Sequence, residues 1–393
     1  MNRERLLRDA YDLVVRTMRL RPPQAEALAS VRDVLLRLPD RLSTCTSEEV
    51  RQFLTGSGWT HTGHPAFTLS LATGLGKSRL AGAIIALLWL SGEARTFLLL
   101  APRRAVLRRL NDALDPAFHD YLFTDPNLIP EPLVIRADEI TSPAALDPQA
   151  ATFARGPRIY LLSPQLVTSS PIFNGRDDLS QISPAQVLKH QQDLVVIVDE
   201  AHHVGRLADR ETTAWANAIR ELEPRLQIGL TATPRQEAGV NLLYDYPLKL
   251  ALAEGLYTKA VQLLVREFPG DDRDPWDIDQ QTITFALDRL RTKEEAISLA
   301  AVPPFPEVKP VAVLFARDIE HAKQVYDWLL SSTLLTADEI HLTYSGKSKT
   351  EEEVEQLLGI ESPSNPVRVT DRRARGRHSR RHMLRKRIAQ ENR

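Results

Sequence analysis

Lys77 and Ser78 close the run Leu71-Ala72-Thr73-Gly74-Leu75-Gly76-Lys77-Ser78, whose residue types suit the holding of a nucleoside triphosphate. Gly74 and Gly76 can take positive φ and turn backbone N–H groups toward phosphate oxygens, and a following helix would add its positive end. Lys77 can reach the β and γ phosphates, and the Ser78 hydroxyl can sit on Mg²⁺. The full phosphate-loop pattern has a glycine where this chain has Leu71, so the match is partial.

A second stretch, Leu194-Val195-Val196-Ile197-Val198-Asp199-Glu200-Ala201-His202, puts two acids at the end of a β-branched run. Asp199 can hold Mg²⁺ through its water shell, and Glu200 can orient or deprotonate an attacking water. Two acids favouring a helix dipole would be the purely structural account of that pair. Gln24 offers the paired donor and acceptor that an adenine edge needs, although Pro22-Pro23 before it also reads simply as a helix start. Arg103, at a strand end, suits a phosphate backbone contact. The run Arg103, Arg104, Arg108, Arg109 reads equally as a solvated helix face. The pairs His61/His64 and His202/His203 lack a third ligand at useful spacing and are not read as metal sites.

These residues need elements to position them. Apolar residues at helical spacing run through residues 1 to 54, and Thr46 with Glu49 forms a capping box. From Ala66 the pattern becomes short apolar strands alternating with helices. Strands are expected over Ala66 to Leu71, Thr96 to Ala101, Leu133 to Arg136, Arg158 to Leu162, Leu194 to Asp199 and Gln227 to Thr231, and a helix over Arg79 to Leu90. That is a doubly wound α/β domain with a parallel sheet, whose ligand belongs at the carboxyl ends of the strands. Asn241 to Tyr257 reads as a connecting region with a helical pattern ending at Gly255. Asp271 to Asp279 reads as an acidic surface loop. Lys309 to Ala316, Ile340 to Tyr344 and Val367 to Val369 are further strands, with helices over Ile319 to Leu330 and Thr350 to Leu358. The expected domains are 1–60, helical; 61–245, nucleotide-binding; 246–370, connector and a partial second lobe; and 371–393, a basic tail.

The 393 residues are 43% apolar and carry a net charge of −1, an ordinary globular composition. From Asp371 to Arg393 there are ten Lys or Arg against Asp371 and Glu391, +8 in all, so the rest carries about −9. Diffuse attraction of nucleic acid over the body is thereby excluded, and any track is local. The single cysteine, Cys45, excludes an internal disulfide and reads as a loop residue without chemistry. No apolar run is long enough to span a bilayer and no signal peptide opens the chain, so the cytoplasm and no membrane partner are expected.

In order and spacing, Leu71 to Ser78, Asp199-Glu200-Ala201-His202 and Thr231-Ala232-Thr233-Pro234 resemble motifs I, II and III of superfamily 2 helicases of the DEAD/DEAH-box type. The resemblance is strongest to the ATPase subunit of type III restriction enzymes and covers roughly Arg21 to Val369. It implies a RecA-like lobe plus part of a second, with ATP and Mg²⁺ as cofactors. Double-stranded DNA and restriction-modification subunits are the implied partners. By resemblance, Lys77, Asp199, Glu200 and His202 are catalytic. Thr73, Gly74, Leu75, Gly76, Lys77 and Ser78 hold the nucleotide, Arg21 and Gln24 read adenine, and Ser78 and Asp199 hold the metal. Thr231 and Thr233 couple hydrolysis to strand movement. Arg103 and Arg104, in Ala101-Pro102-Arg103-Arg104, touch the nucleic-acid backbone, and Ser163-Pro164-Gln165 sits where another such contact falls.

After Val367 the sequence departs from the family's motifs V and VI. This suggests a truncated or frame-shifted product with slow turnover, or else a true basic tail that binds nucleic acid. A non-helicase P-loop ATPase of the AAA+ type and a non-catalytic binding module remain the alternatives.

Overall fold

The computed structural model describes residues 2–56, 58–59, 64–102, 104–136, 155–169, 171–174, 183–203, 210–234, 241–255, 274–300, 309–343 and 367–372. Three helices open the chain: α1 (Arg3–Thr17), α2 (Pro22–Arg37) and α3 (Ser47–Gly56). Thr46 caps α3 as its sequence requires, with the Glu49 N–H donating to Thr46 Oγ1 and the Thr46 N–H donating to Glu49 Oε2. The strands and helices then alternate: β1 (Ala66–Leu71), α4 (Lys77–Leu90), β2 (Thr96–Leu100), α5 (Arg104–Leu114), β3 (Leu133–Arg136), β4 (Arg158–Leu162), β5 (Leu194–Asp199), α6 (Arg210–Glu221), β6 (Leu226–Thr231), β7 (Leu242–Tyr246) and α7 (Leu248–Glu254).

The seven strands form one parallel sheet in the order β3-β4-β2-β5-β6-β1-β7. This is a RecA-like doubly wound sheet. Six strands fall within a residue of where alternation in the sequence puts them. The seventh, β7, lies in the stretch expected to be a connector. Its burial is partial, and it earns its place in the sheet by pairing with β1, Leu69 opposite Tyr244 and Leu71 opposite Tyr246.

Apolar side chains cover both faces of the sheet. One face, with Leu69, Ile197, Ile228 and Leu230, packs against α4, α1 and α2, and the other, with Leu100, Leu162, Val196 and Val198, packs against α6 and the short helix Pro164–Ser169. Leu80 to Leu88 of α4 are all buried, as an apolar helix between a sheet and an outer layer of helices should be. A Cβ on Gly82 would stand 2.9 Å from Leu122 Cδ1, so this helix tolerates no larger residue there without a shift.

The chain divides into two compact units, Met1–Thr258 and Lys259–Arg393. In the second, α8 (Pro275–Ala300), β8 (Ala312–Leu314), α9 (Ile319–Ser331), β9 (Ile340–Thr343) and β10 (Val369–Arg372) build a parallel sheet in the order β8-β10-β9 over Ile283, Leu287, Val325 and Leu329. The acidic segment expected as a loop over Asp271 to Asp279 is corrected here, because from Pro275 it is the first turn of α8. Proline at a helix start and acids in a first turn are both favourable, so the same residues that signal a loop also start a helix. Asp279, nearly buried, accepts from the Arg317 guanidinium at 2.8 Å. Strand β8 is shorter than expected, since Pro310 has no N–H to give to a ladder. The helix expected over Thr350 to Leu358 lies outside the described residues.

The N-terminal helices are tied to the far end of α4 by a buried ion pair. Glu93, fully buried, accepts from Arg3 Nε at 2.8 Å and from the Leu42 N–H at 2.8 Å, while Arg3 also donates to the carbonyls of Leu35 and Leu38. Arg3→Ala leaves the carboxylate without its cation and is expected to cost about 3 kcal/mol, read as a lowered urea midpoint with unchanged slope.

Candidate active site

The turn between β1 and α4 carries the first candidate residues. Gly74 has φ 90° and Gly76 φ 76°, the left-handed region that glycine enters without penalty. Gly76 is the N-cap of α4, and Lys77 and Ser78 are its first two residues. The N–H groups of Gly74, Gly76, Lys77 and Ser78 meet no acceptor among the described residues. Thr73, Gly74 and Gly76 are exposed, whereas Leu75 is buried and anchors the turn. Leu71, which stands where the full loop pattern has glycine, is the buried last residue of β1, so the turn begins one residue later.

Gln24 lies beneath this turn, 2% exposed. Its Nε2 donates to Leu75 O at 2.7 Å and to Gly76 O at 3.0 Å, and its Oε1 accepts from the Arg21 N–H at 2.9 Å. Both amide hydrogens are therefore committed to the loop, and Oε1 keeps one lone pair for another donor. Arg21 Nη1 reaches Gly74 O at 3.4 Å, and Arg79 Nη1 donates to Met18 O at 2.8 Å. The structure thus brings Arg21, Gln24 and residues 73 to 78 together at one end of the sheet.

Asp199 ends β5 at the same end and is largely buried. Burial and the Glu200 carboxylate beside it raise its pKa above the ordinary carboxylate value, and the Glu200 N–H and the Lys77 ammonium oppose that rise. Lys77 and Asp199 therefore feel one another's charge across the loop. Glu200 has φ 52°, a costly conformation for a non-glycine residue, stabilised by its N–H donating to Asp199 Oδ1 at 2.9 Å.

The next link runs from β5 to β6. His202 Nδ1 lies 3.0 Å from Thr231 Oγ1 and 3.3 Å from Glu200 Oε2, and Thr231 Oγ1 also accepts the Thr233 N–H at 3.1 Å. Thr231 is buried and Thr233 exposed. Gly229 permits the close approach of the strand to this turn, since a Cβ there would stand 2.8 Å from Ala201 Cβ. The order of the residues in the sequence does not show that Glu200, His202, Thr231 and Thr233 form one chain of contacts.

Arg103 and the side chain of Arg104 lie outside the described residues. Arg104 opens α5, on which Arg108 and Arg109 are exposed. Ser163 accepts the Leu166 N–H at 3.3 Å as a helix cap. His64 Nε2 faces Gln227 Oε1 at 2.7 Å, and His61 lies outside the described residues. Cys45, read as a plain loop residue, is in a bend but buried. Among the described residues there is no group of three or more His, Cys, Asp or Glu suited to a metal, and no helix long and apolar enough to cross a membrane. Mg²⁺ needs no such group, because it commonly takes one or two protein oxygens and keeps water and phosphate for the rest. Asp199 and the Ser78 hydroxyl are hard oxygen donors of that kind.

The family model of the type III restriction enzyme res subunit matches residues 17–236, more than half of the chain. The chain belongs to this family. No curated protein matches it. Among solved structures, the ATP-dependent type ISP restriction-modification enzyme LlaBIII bound to DNA is 13% identical, with 90% of this chain covered and a TM-score of 0.46. The chain spans 24% of that enzyme's length. The Pyrococcus furiosus Hef helicase domain is 14% identical, with 84% of this chain and 87% of that one covered and a TM-score of 0.38. For S. cerevisiae Dbp5 bound to RNA and ADP BeF3 the identity is 13%, the coverage 91% and 75%, and the TM-score 0.38.

The raised pKa of Asp199 has a consequence for stability. A carboxyl that binds its proton more tightly when folded contributes stability below its unfolded pKa, and that contribution is lost as pH rises through the folded value. Asp199→Asn removes this cost, so at neutral pH the variant should melt above the parent protein, and the gap should shrink on acidification toward pH 4. Thermal melts at the two pH values measure it.

Proposed function

We propose that this chain is an ATP- and Mg²⁺-dependent motor that moves on or unwinds nucleic acid, with double-stranded DNA as its track and restriction-modification subunits as its partners. The observation that carries the proposal is the meeting of the Gly74–Ser78 turn, with Lys77 and with the N–H groups of Gly74, Gly76, Lys77 and Ser78 unengaged among the described residues, with Asp199 and Glu200 at the same strand ends. Membership of the res subunit family supports the track and the partners.

When bound, MgATP supplies the phosphoryl group to be transferred and the cation that neutralises its charge. The loop N–H groups and Lys77 hold the phosphates, and Ser78 and Asp199 hold the cation. Lys77 opposes the burial that favours a proton on Asp199. Glu200 orients the attacking water and takes its proton at a carboxylate oxygen, placed for that role by its unusual φ. His202 relays the state of Glu200 to Thr231 and Thr233, and through them to the track. Gln24 shapes the loop and accepts an adenine amino hydrogen at Oε1, while Arg21 borders the base. Arg103 and Arg104 contact the backbone of the track without reading sequence.

Two substitutions separate binding from chemistry. Lys77→Ala should weaken binding of a fluorescent ATP analogue by at least about tenfold, the loss of one charge-assisted phosphate contact. Glu200→Gln should bind the analogue like the parent protein and lower single-turnover hydrolysis by about 10² to 10⁴. Unchanged binding in the first variant would overturn the site.

A further inference from the structure

The phosphate loop is gripped on two sides, and a single tyrosine joins the grips. On its incoming side, β7 pairs with β1 up to the loop itself: Leu71 stands opposite Tyr246, and the Ala72 N–H donates to Tyr246 O at 3.0 Å. On its outgoing side, Gln24 of α2 takes the carbonyls of Leu75 and Gly76, so closely that a Cβ on Gly76 would stand 2.7 Å from Gln24 Nε2. Glu26 is two residues beyond Gln24, about 200° around the helix and so turned away from the loop. There it accepts the Tyr244 hydroxyl of β7 at 2.8 Å.

The same strand is the last one among the described residues of the first unit. After β7 come Pro247, α7 and Gly255, whose φ of 64° ends that helix, and the first unit closes at Thr258. Burial and the Glu26 carboxylate push the Tyr244 phenol above its ordinary pKa, so it remains a donor across the neutral range. Tyr246, by contrast, spends its hydroxyl within its own segment, on Glu254.

We propose that Tyr244 is a positioning residue for nucleotide binding: through Glu26 it fixes α2, and with it the Gln24 grip on the phosphate loop, to the strand from which the chain leaves the first unit. A displacement of β7 then reaches the loop from both sides, which makes nucleotide affinity responsive to the connector. The proposal rests on the nucleotide-site reading above.

The test is equilibrium binding of a fluorescent ATP analogue to the full chain, with thermal melts to confirm folding. Tyr244→Phe keeps the ring and removes one hydrogen bond to a carboxylate, so affinity should fall about three- to tenfold. Glu26→Ala should match it, and Glu26→Gln, which keeps an acceptor, should stay within about twofold of the parent protein. In a Gln24→Ala background Tyr244→Phe should add nothing, because its route to the loop is gone. Tyr246→Phe should bind like the parent. Normal affinity in both Tyr244→Phe and Glu26→Ala, or an undiminished Tyr244→Phe effect beside Gln24→Ala, overturns the proposal. If Lys77→Ala still weakens binding in that case, the nucleotide site stands and only the Tyr244 link is wrong. A parent protein that binds no analogue overturns both.

Discussion

A loop that is to present its N–H groups to an anion must have its carbonyls satisfied elsewhere. A buried C=O without a partner costs about 1–3 kcal/mol, and N–H groups kept for the anion are not available to meet it. In this protein much of the need is met by Gln24, whose amide takes the carbonyls of Leu75 and Gly76 and is itself held by the Arg21 N–H; the Leu80 N–H also donates to Gly76 O, and Arg21 Nη1 reaches Gly74 O. The rest of the first unit follows from that arrangement. Helix α2 has to lie against the start of α4, so α4 is covered on its outer side and is apolar all round. The ion pair of Arg3 with buried Glu93 then ties the helical layer to the opposite end of α4.

Charge and strain are concentrated at the strand ends. Asp199 is buried beside a second carboxylate, an arrangement that favours its proton, and the opposing pull comes from Lys77 and from the Glu200 N–H. Glu200 sits in a left-handed conformation that a β-strand end would not choose unaided. Both features cost stability in the free protein, and both are reasonable if a cation and a phosphate are to complete the site. The contacts from Glu200 through His202 to Thr231 and Thr233 give the proposed chemistry a physical route out of the cleft along β6.

The sheet of the first unit was legible because its strands are buried on both faces. Leu194 to Val198 and Phe97 to Leu100 are continuous apolar runs, and such runs have few alternatives. β7 was hidden because an edge strand need not be apolar: Asp245 and exposed Leu242 leave no periodic signal, and its place comes from pairing with β1. The start of α8 was misread because proline and acids serve loops and helix starts alike. In the candidate site, the loop and the two acids stood out by residue type and spacing. The partner of Gln24 did not, because a glutamine that looks available to a ligand in sequence can be spent on backbone carbonyls 51 and 52 residues away. Glu26 gave no signal at all, being one exposed acid on a helix whose meaning depends on Tyr244 more than two hundred residues later.

The central claim is that the nucleotide held by this loop is hydrolysed in the service of a nucleic-acid track. Steady-state phosphate release by the purified full chain, with and without duplex DNA at fixed MgATP, tests it most directly. The account predicts release that rises when DNA is added. Release that ignores DNA, or none in either case while the nucleotide still binds, would contradict it and leave a nucleotide-binding unit without a motor's coupling.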